Sequence, residues 1–452
     1  MSDYNFLMET RLSPEQYQVL THLARAAHAE RLNLYLVGGA VRDLTFGQQV
    51  VRDLDFAVEG NPRKILRHLD GKGRGGARGP LTIASVRYDG RLNSAELTFT
   101  NGVRAELAMT RTEVYAKPGH RPQILPVEII EDLKRRDFSL NAMAVSLHPN
   151  SRGLLLDPTN GAADIERREL RALHSRSFSD DPSRIYRLLR LGLRLEFKPE
   201  ERTQQWLERA LASRAHERLD PEQQARELRA ILHEENPGRV LKLFASRGLL
   251  AGLDRKLAVT KLPYDQFNRI RSALHTMAGA DPFLLNLHCL VAKFSGSQRN
   301  RLAKKIAPDR QTLKEVLGLE SAARKLARAL ASAKAAQPSQ VYTLLSGQPQ
   351  PLLLFLLVNF PQAKIQTRVK NFLFKYPLLL AKLPRAELLG LGLEAGPKFE
   401  KIVHQLFLEQ LDGKIKTHQQ LLKEFRSLAG LKEPTVKLPA RAAKPSPKRK
   451  KR

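Results

Sequence analysis

LYLVGGAVRDLTFGQQVVRDLDFAVEG (34–60) alternates two apolar stretches around a more polar one. LYLV (34–37) reads as a short strand running into Gly38-Gly39. AVRDLTFG then reads as a helical turn, and VVRDLDFAVEG as a second strand. Glycines at a strand-to-helix joint let the backbone approach a phosphate closely, and the helix start beyond them offers unpaired N–H groups. Taken alone, most such pairs are simply turns. In the second strand Asp53 and Asp55 stand two apart and turn to one face, with Leu54, Phe56 and Val58 on the core side. Two crowded carboxylates are costly without a cation between them. Hard oxygen donors of this kind suit Mg²⁺, which completes its coordination with water and substrate phosphate. The same DxD on an open strand face is otherwise a solvated pair.

Upstream, residues 13–31 carry apolar positions at helical spacing behind Ser13 as N-cap and Pro14 at the first helical position. Downstream, LTIASV (81–86), AELTFT (95–100) and VRAELAM (103–109) read as strands. Glu106 sits mid-strand among apolar residues, where an unpaired charge is penalised. Beside the DLD strand it would make a third carboxylate; otherwise Arg104 or Arg111 pairs it. GKGRGGARGP (71–80) lacks the order of a P-loop and reads as a mobile loop. TEVYAKPGHRPQILPVE (112–128) reads as a flexible loop whose Tyr115, His120 and Arg121 either reach an RNA 3′ end or lie on plain surface.

LVGGAVRD (36–43) followed by RDLDFAV (52–58) resembles the metal motif of the bacterial (class II) tRNA nucleotidyltransferases and poly(A) polymerases, a polymerase β-like family. The likeness runs in order through 34–230 and more faintly to about 426. It implies that Gly38 and Gly39 hold a triphosphate with Arg42 and Asp43 beside them and that Asp53 and Asp55 hold Mg²⁺. EDLKRRDFSLNAMA (131–144) resembles the segment that binds the incoming nucleotide. By that likeness Arg136 meets phosphate or ribose, Asp137 the ribose 2′-hydroxyl and Asn141 the frame around them; without it, RRD reads as a charge cluster at a helix N-terminus. DPTNGAADIERRELRAL (157–173) resembles the connector to a helical body. SFSDDPSRIYRLLRLGLRLEF (177–197) resembles a protein template for the base, with Asp181 and Arg184 reading its edge. Three apart, these two share a face if both lie on one helix, as an ordinary salt bridge also would. The family often has Glu before that Asp, where this chain has Asp180. LDPEQQARELRAIL (219–232) resembles a helix bracing the template, with Glu222, Gln223 and Glu227 where the family shows Glu-Arg and Glu. LGLEAGPKFEKIVHQLFLEQLDGKIKT (391–417) resembles the far body that grips the tRNA elbow.

The expected fold is α+β: a nucleotidyltransferase head with a small mixed sheet (1–150), a helical neck with the template motif (151–240) and an all-helical body (241–430). Beyond about residue 160 apolar residues recur at helical spacing and strand signals fade. The 452 residues carry 76 Lys and Arg against 46 Asp and Glu, a net +30, of which eight charges fall in KLPARAAKPSPKRKKR (437–452). A body this basic attracts polyphosphate, and the tail (431–452) is expected to be disordered. Cys289 stands alone, so disulfide and cysteine-zinc frameworks are excluded. Twelve histidines form no HExxH, which argues against zinc hydrolysis. No signal peptide is read in MSDYNFLMET, and PLLLFLLV (351–358) is far short of a membrane span of roughly 20 residues. The expectation is a cytoplasmic enzyme, without membrane partners, adding CCA or part of it to tRNA 3′ ends from CTP and ATP with Mg²⁺. Polyadenylation is the alternative within the family, and a non-catalytic RNA-binding protein the alternative outside it.

Overall fold

The computed structural model describes residues 3–47, 51–70, 81–114, 123–277 and 280–431. The chain divides into two compact units, residues 1–268 with 289–308, and residues 269–288 with 309–452.

The first unit opens with helices α1 (Tyr4–Arg11) and α2 (Pro14–Ala29). Ser13 and Gln16 satisfy each other's backbone in a capping box, with Pro14 at the first helical position. Strand β1 (Asn33–Val37) runs through Gly38 into α3 (Gly39–Phe46); β2 (Leu54–Glu59) and α4 (Pro62–Leu69) follow. Next come β3 (Ile83–Asp89), β4 (Ser94–Phe99), β5 (Arg104–Met109), a ribbon of β6 (Arg111–Val114) and β7 (Gln123–Pro126), and α5 (Ile129–Lys134). With β8 (Ala144–Ser146) and β9 (Leu155–Leu156), seven strands form one sheet in the order β3-β4-β5-β2-β1-β8-β9. Only the β2–β5 pairing is parallel, so the sheet is mixed, as expected.

Register carries the functional consequence. Leu36, Phe56, Leu107 and Ala95 are paired across β1, β2, β5 and β4, and none exceeds 1% exposure. One residue along, the pairs are Val37 with Asp55, Asp55 with Glu106, Glu106 with Glu96, and Glu96 with Arg87. Paired residues share a face. The polar row therefore crosses the face opposite the sealed one. Helix α5 covers half of that face: Ile129 and Leu133 pack with Tyr35, Val37, Ala57 and Ala144, each burial stabilising by about 1.5–3 kcal/mol. Asp55 and Glu106 lie beyond its edge.

TEVYAKPGHRPQILPVE, expected as a flexible loop, departs from that reading at both ends, where β6 and β7 pair antiparallel from Arg111 with Pro126 to Val114 with Gln123. Tyr115, His120 and Arg121 fall outside the described residues, as does GKGRGGARGP. RRD lies just after α5, at its C-terminal end rather than at a helix N-terminus, because Arg135 already forms the helix's C-cap.

Helices dominate from residue 161: α6 (Gly161–Arg167), α7 (Ser177–Asp180), α8 (Ser183–Leu195), α9 (Glu201–Ala212) and α10 (Pro221–Leu232). A β-carbon at Gly161 would stand 2.2 Å from the Ser139 carbonyl oxygen, so glycine lets α6 close on the nucleotide segment. Asp164, fully buried in α6, holds Arg171 at 2.7 Å and also contacts Arg167 and Ser139.

The second unit is helical over its described length, from Arg310–Ala331 through Pro397–Leu411 to His418–Ala429, around buried Phe399, Phe407 and Phe425. PLLLFLLV belongs to the helix Gln350–Asn359, with Leu352 to Leu356 buried. Among the described residues no single helix is long and apolar enough to cross a membrane. The tail expected to be disordered lies outside the described residues from 432 onward.

Candidate active site

Between the open half of the sheet and helices α8 and α10 lies a cleft of about 510 Å³. Gly38, Gly39, Arg42, Asp43, Asp53, Asp55, Glu106, Arg136, Asp137, Asn141, Asp181 and Arg184 all line it. Segments up to 146 residues apart in sequence thus converge on one cavity.

Gly38 adopts φ +67° and ψ −129°, a backbone conformation only glycine takes without strain. A β-carbon there would stand 3.3 Å from Arg136 Nη1 and 3.5 Å from Asp55 Oδ2. The Gly-Gly turn is therefore pressed between the carboxylate row and the RRD segment. Asp53 precedes the first residue of β2, yet faces the same cleft as Asp55. Burial first, then the charges of Glu106 and Asp53, push the Asp55 carboxyl up to about 7, against the pull of Arg136 and Arg42. Burial likewise raises Glu106, with Glu96 adding to it and Arg111 opposing. Glu106 nonetheless lines the cleft and stays solvent-exposed there. Among the described residues no group of three or more His, Cys, Asp or Glu forms a ready metal cage. A Mg²⁺ site needs only one or two carboxylates plus phosphate and water, and this under-compensated negative charge fits one.

Arg42, buried in α3, donates through Nε and Nη2 to Asp43 Oδ1 and through Nη1 to Asn141 Oδ1 at 2.8 Å. Asn141 Nδ2 donates on to Asp137 Oδ1 at 3.2 Å. Burial pushes the Asp137 carboxyl up, but Arg187, Arg184 and the hydrogen bonds from Asn141 and the Phe138 N–H outweigh it and hold it below the usual range. Arg187 Nη2 stands 2.9 Å from Asp137 Oδ2, an ion contact whose angles leave that buried oxygen without a hydrogen bond. Arg136 donates to Asp132 Oδ2 at 2.9 Å, and Arg135 to Oδ1 at 2.7 Å.

Asp181 is not on the template helix, as its spacing from Arg184 would have it. Pro182 separates α7 from α8, and Asp181 is extended between them, at φ −131° and ψ 93°. Its Oδ1 accepts from the Ser183 N–H, the Ser183 hydroxyl and Gln223 Nε2, at 3.0, 2.6 and 3.1 Å. Oδ2 lies 3.8 Å from Arg184 Nε. Arg184 is itself held by Ser177 Oγ at 2.8 Å and the Arg135 carbonyl at 2.9 Å. Asp180 lies in α7 near Arg176 and does not line the cleft, so that departure from the family pattern falls outside the site.

Arg187, Arg190 and Arg194 also line the cleft and were not singled out from the sequence. With Arg184 they recur at three- and four-residue steps, a one-face helical period visible in RIYRLLRLGLRL. Arg190 pairs with buried Glu234 at 3.0 Å and approaches Glu227 at 3.7 Å. Burial first, then Arg42, lowers Arg194 to about 10.

Residues 34–171 match the model of the poly A polymerase head domain. It is 36% identical over 238 residues to the A-adding tRNA nucleotidyltransferase of Halalkalibacterium halodurans, covering 51% of this chain and 52% of that one. To the CC-adding tRNA nucleotidyltransferase of Deinococcus radiodurans it is 38% identical over 249 residues, covering 54% and 62%. The chain thus spans only about half to three-fifths of these curated relatives. A CCA-adding enzyme solved in an apo form aligns over 95% of this chain and 99% of its own, with 26% identity and a TM-score of 0.50.

Proposed function

We propose that the chain adds nucleotides to the 3′ end of tRNA from CTP and ATP, releasing pyrophosphate. The observation that carries this is the convergence in one cleft of the carboxylate row, the Gly-Gly turn and the Asp181–Arg184 pair. Gly38 and Gly39 would take the triphosphate on their backbone and on the first turn of α3, with Arg136 alongside. Asp137, kept ionised beside Arg187, would accept from the ribose 2′-hydroxyl and so favour ribonucleotides. Asp181 Oδ2 and Arg184 would present an acceptor and donors to the base edge. Asp53 and Asp55, with Glu106 beside them, would hold Mg²⁺. Bound there, the ions would supply positive charge to the attacking and leaving oxygens. The protein's own share is positioning: α-phosphate, ribose and base are each fixed from a different segment. The helical second unit would hold the tRNA body through its phosphates. A cytoplasmic setting goes with that substrate.

Relatives named for A addition and for CC addition both align with the head, which favours keeping the partial activities beside full CCA addition. The test is incorporation of labelled CTP and ATP, separately and together, into transcripts ending before C, CC and CCA. Stepwise addition that stops after A supports the full reaction, one partial step a split activity, and an unlimited A run polyadenylation. No incorporation into any transcript overturns the proposal.

A further inference from the structure

The row Val37–Asp55–Glu106–Glu96–Arg87 gives the cleft a direction. Its Val37 end adjoins Gly38 and Gly39, the phosphate turn. In an in-line displacement the attacking and leaving oxygens lie on opposite sides of the phosphorus. With pyrophosphate leaving toward Gly38, the attacking 3′-hydroxyl arrives from the Glu106 side, over β4 and β3. We infer that Arg87 and Arg91 of the β3–β4 hairpin and Arg226 and Arg229 of α10 form the track that grips the last phosphodiesters of the RNA's unpaired 3′ end. It rests on the nucleotidyl-transfer reading of the cleft.

These arginines come from two separate elements and meet at the same mouth. Arg91 and Arg226 both line the cleft. Arg226 and Arg229 sit three apart on α10, one helical face. Arg229 is held below its usual range by burial first, then by the charges of Arg87 and Arg226, so the two elements stand within electrostatic reach of each other. Glu96, bridged to Arg87, and Glu222 on α10 are nearby acids, and the charge of Arg226 also reaches Glu106 and Glu227. Among the described residues the cleft lining as a whole carries eleven arginines against nine carboxylates, a surplus that an RNA backbone, with one charge per nucleotide, neutralises. Guanidinium forks match the two non-bridging oxygens of a phosphodiester. No base-reading group is needed along this track, as suits a 3′ end whose sequence changes with each addition.

Equilibrium binding tests this without relying on turnover. The full chain is titrated by fluorescence anisotropy, without nucleotide, against two labelled tRNA transcripts, one with its unpaired 3′ nucleotides and one cut back to the paired stem. Arg87→Ala/Arg226→Ala should weaken binding of the first RNA roughly five- to tenfold and reduce the salt slope by about one to two. It should bind the cut RNA as the parent does. Arg226→Lys, which keeps the charge, should recover part of the loss, whereas a folding defect would weaken both RNAs alike and shift thermal melting. Equal weakening on both RNAs, or none on either, overturns the track. If the parent adds no nucleotide at all, the reading of the cleft fails instead, and the two failures are told apart.

Discussion

Gln223 Nε2 donates to Asp181 Oδ1 at 3.1 Å, joining the start of α10 to the break between α7 and α8. The same amide's Oε1 accepts from the Asp220 N–H, completing a capping box. One side chain thus both starts a helix and orients a carboxylate. Because the cap uses the oxygen, the NH₂ is the group left to face Asp181. Gln223→Glu keeps an acceptor for the cap and sets a like charge against Asp181. It should leave thermal stability nearly unchanged and lower kcat/KM for the nucleotide about tenfold or more, given about 1.5–3 kcal/mol for a charge-assisted hydrogen bond. Discrimination against GTP and UTP should fall with it. Steady-state kinetics with each nucleotide decide; unaltered selectivity would show that Gln223 serves the helix alone.

Asp53→Ala should reduce incorporation by at least about a thousandfold, the several kcal/mol of charge stabilisation a metal site supplies. Its affinity for tRNA should stay within a few-fold. Chelation of divalent ions should mimic the variant, and added Mg²⁺ should restore only the parent. Normal turnover in Asp53→Ala would remove the metal reading.

Gly38→Ala forces a side chain onto φ +67° and ψ −129° beside Arg136 and Asp55. The strain should cost about 1–3 kcal/mol, seen as a lower melting temperature. KM for nucleotide should rise more than KM for tRNA, because the displaced backbone is the phosphate turn. A variant with unchanged melting and kinetics would show that the turn relaxes freely.

Asp137 has its carboxyl held down in the folded chain despite burial, chiefly by Arg187 and Arg184. A group lowered on folding contributes stability that is fully present above its unfolded value near 3.9 and is lost as pH falls through its lower folded value. Asp137→Asn should therefore melt below the parent at neutral pH, and the gap should close below about pH 4. Parallel melting curves across that range would refute it.

Much of the head was legible because its signals are local. Asp55 and Glu106 obey the period of two in strands, and the sealed Leu36–Phe56–Leu107 row confirms which face is core. What periodicity cannot give is pairing, so Glu106 remained open between a triad and a salt bridge until β5 was seen parallel to β2. The three-residue spacing of Asp181 and Arg184 cannot tell one helix from two segments, and Pro182 breaks the chain between them. A charge cluster such as RRD marks a helix end without saying which, and the short α5 has too few turns to show its stop. Arg187, Arg190 and Arg194 carried a visible period, but a basic helix face reads equally well as solvated surface. The role of Gln223 is not legible in the sequence, since an amide's partner forty-two residues away leaves no mark there.

The described residues that line the cleft include eleven arginines and not one lysine. Guanidinium does not release its proton in the range where proteins stay folded. Apart from Arg194, which burial lowers to about 10, the positive wall of the cleft therefore keeps its charge in alkaline media, where an ammonium wall would fade. It also offers no primary amine, so reagents and modifying enzymes that acylate lysine have nothing to attack there, whereas vicinal dicarbonyls, which condense with guanidines, do. Among the described residues, a lysine that is acetylated lies outside the cleft lining.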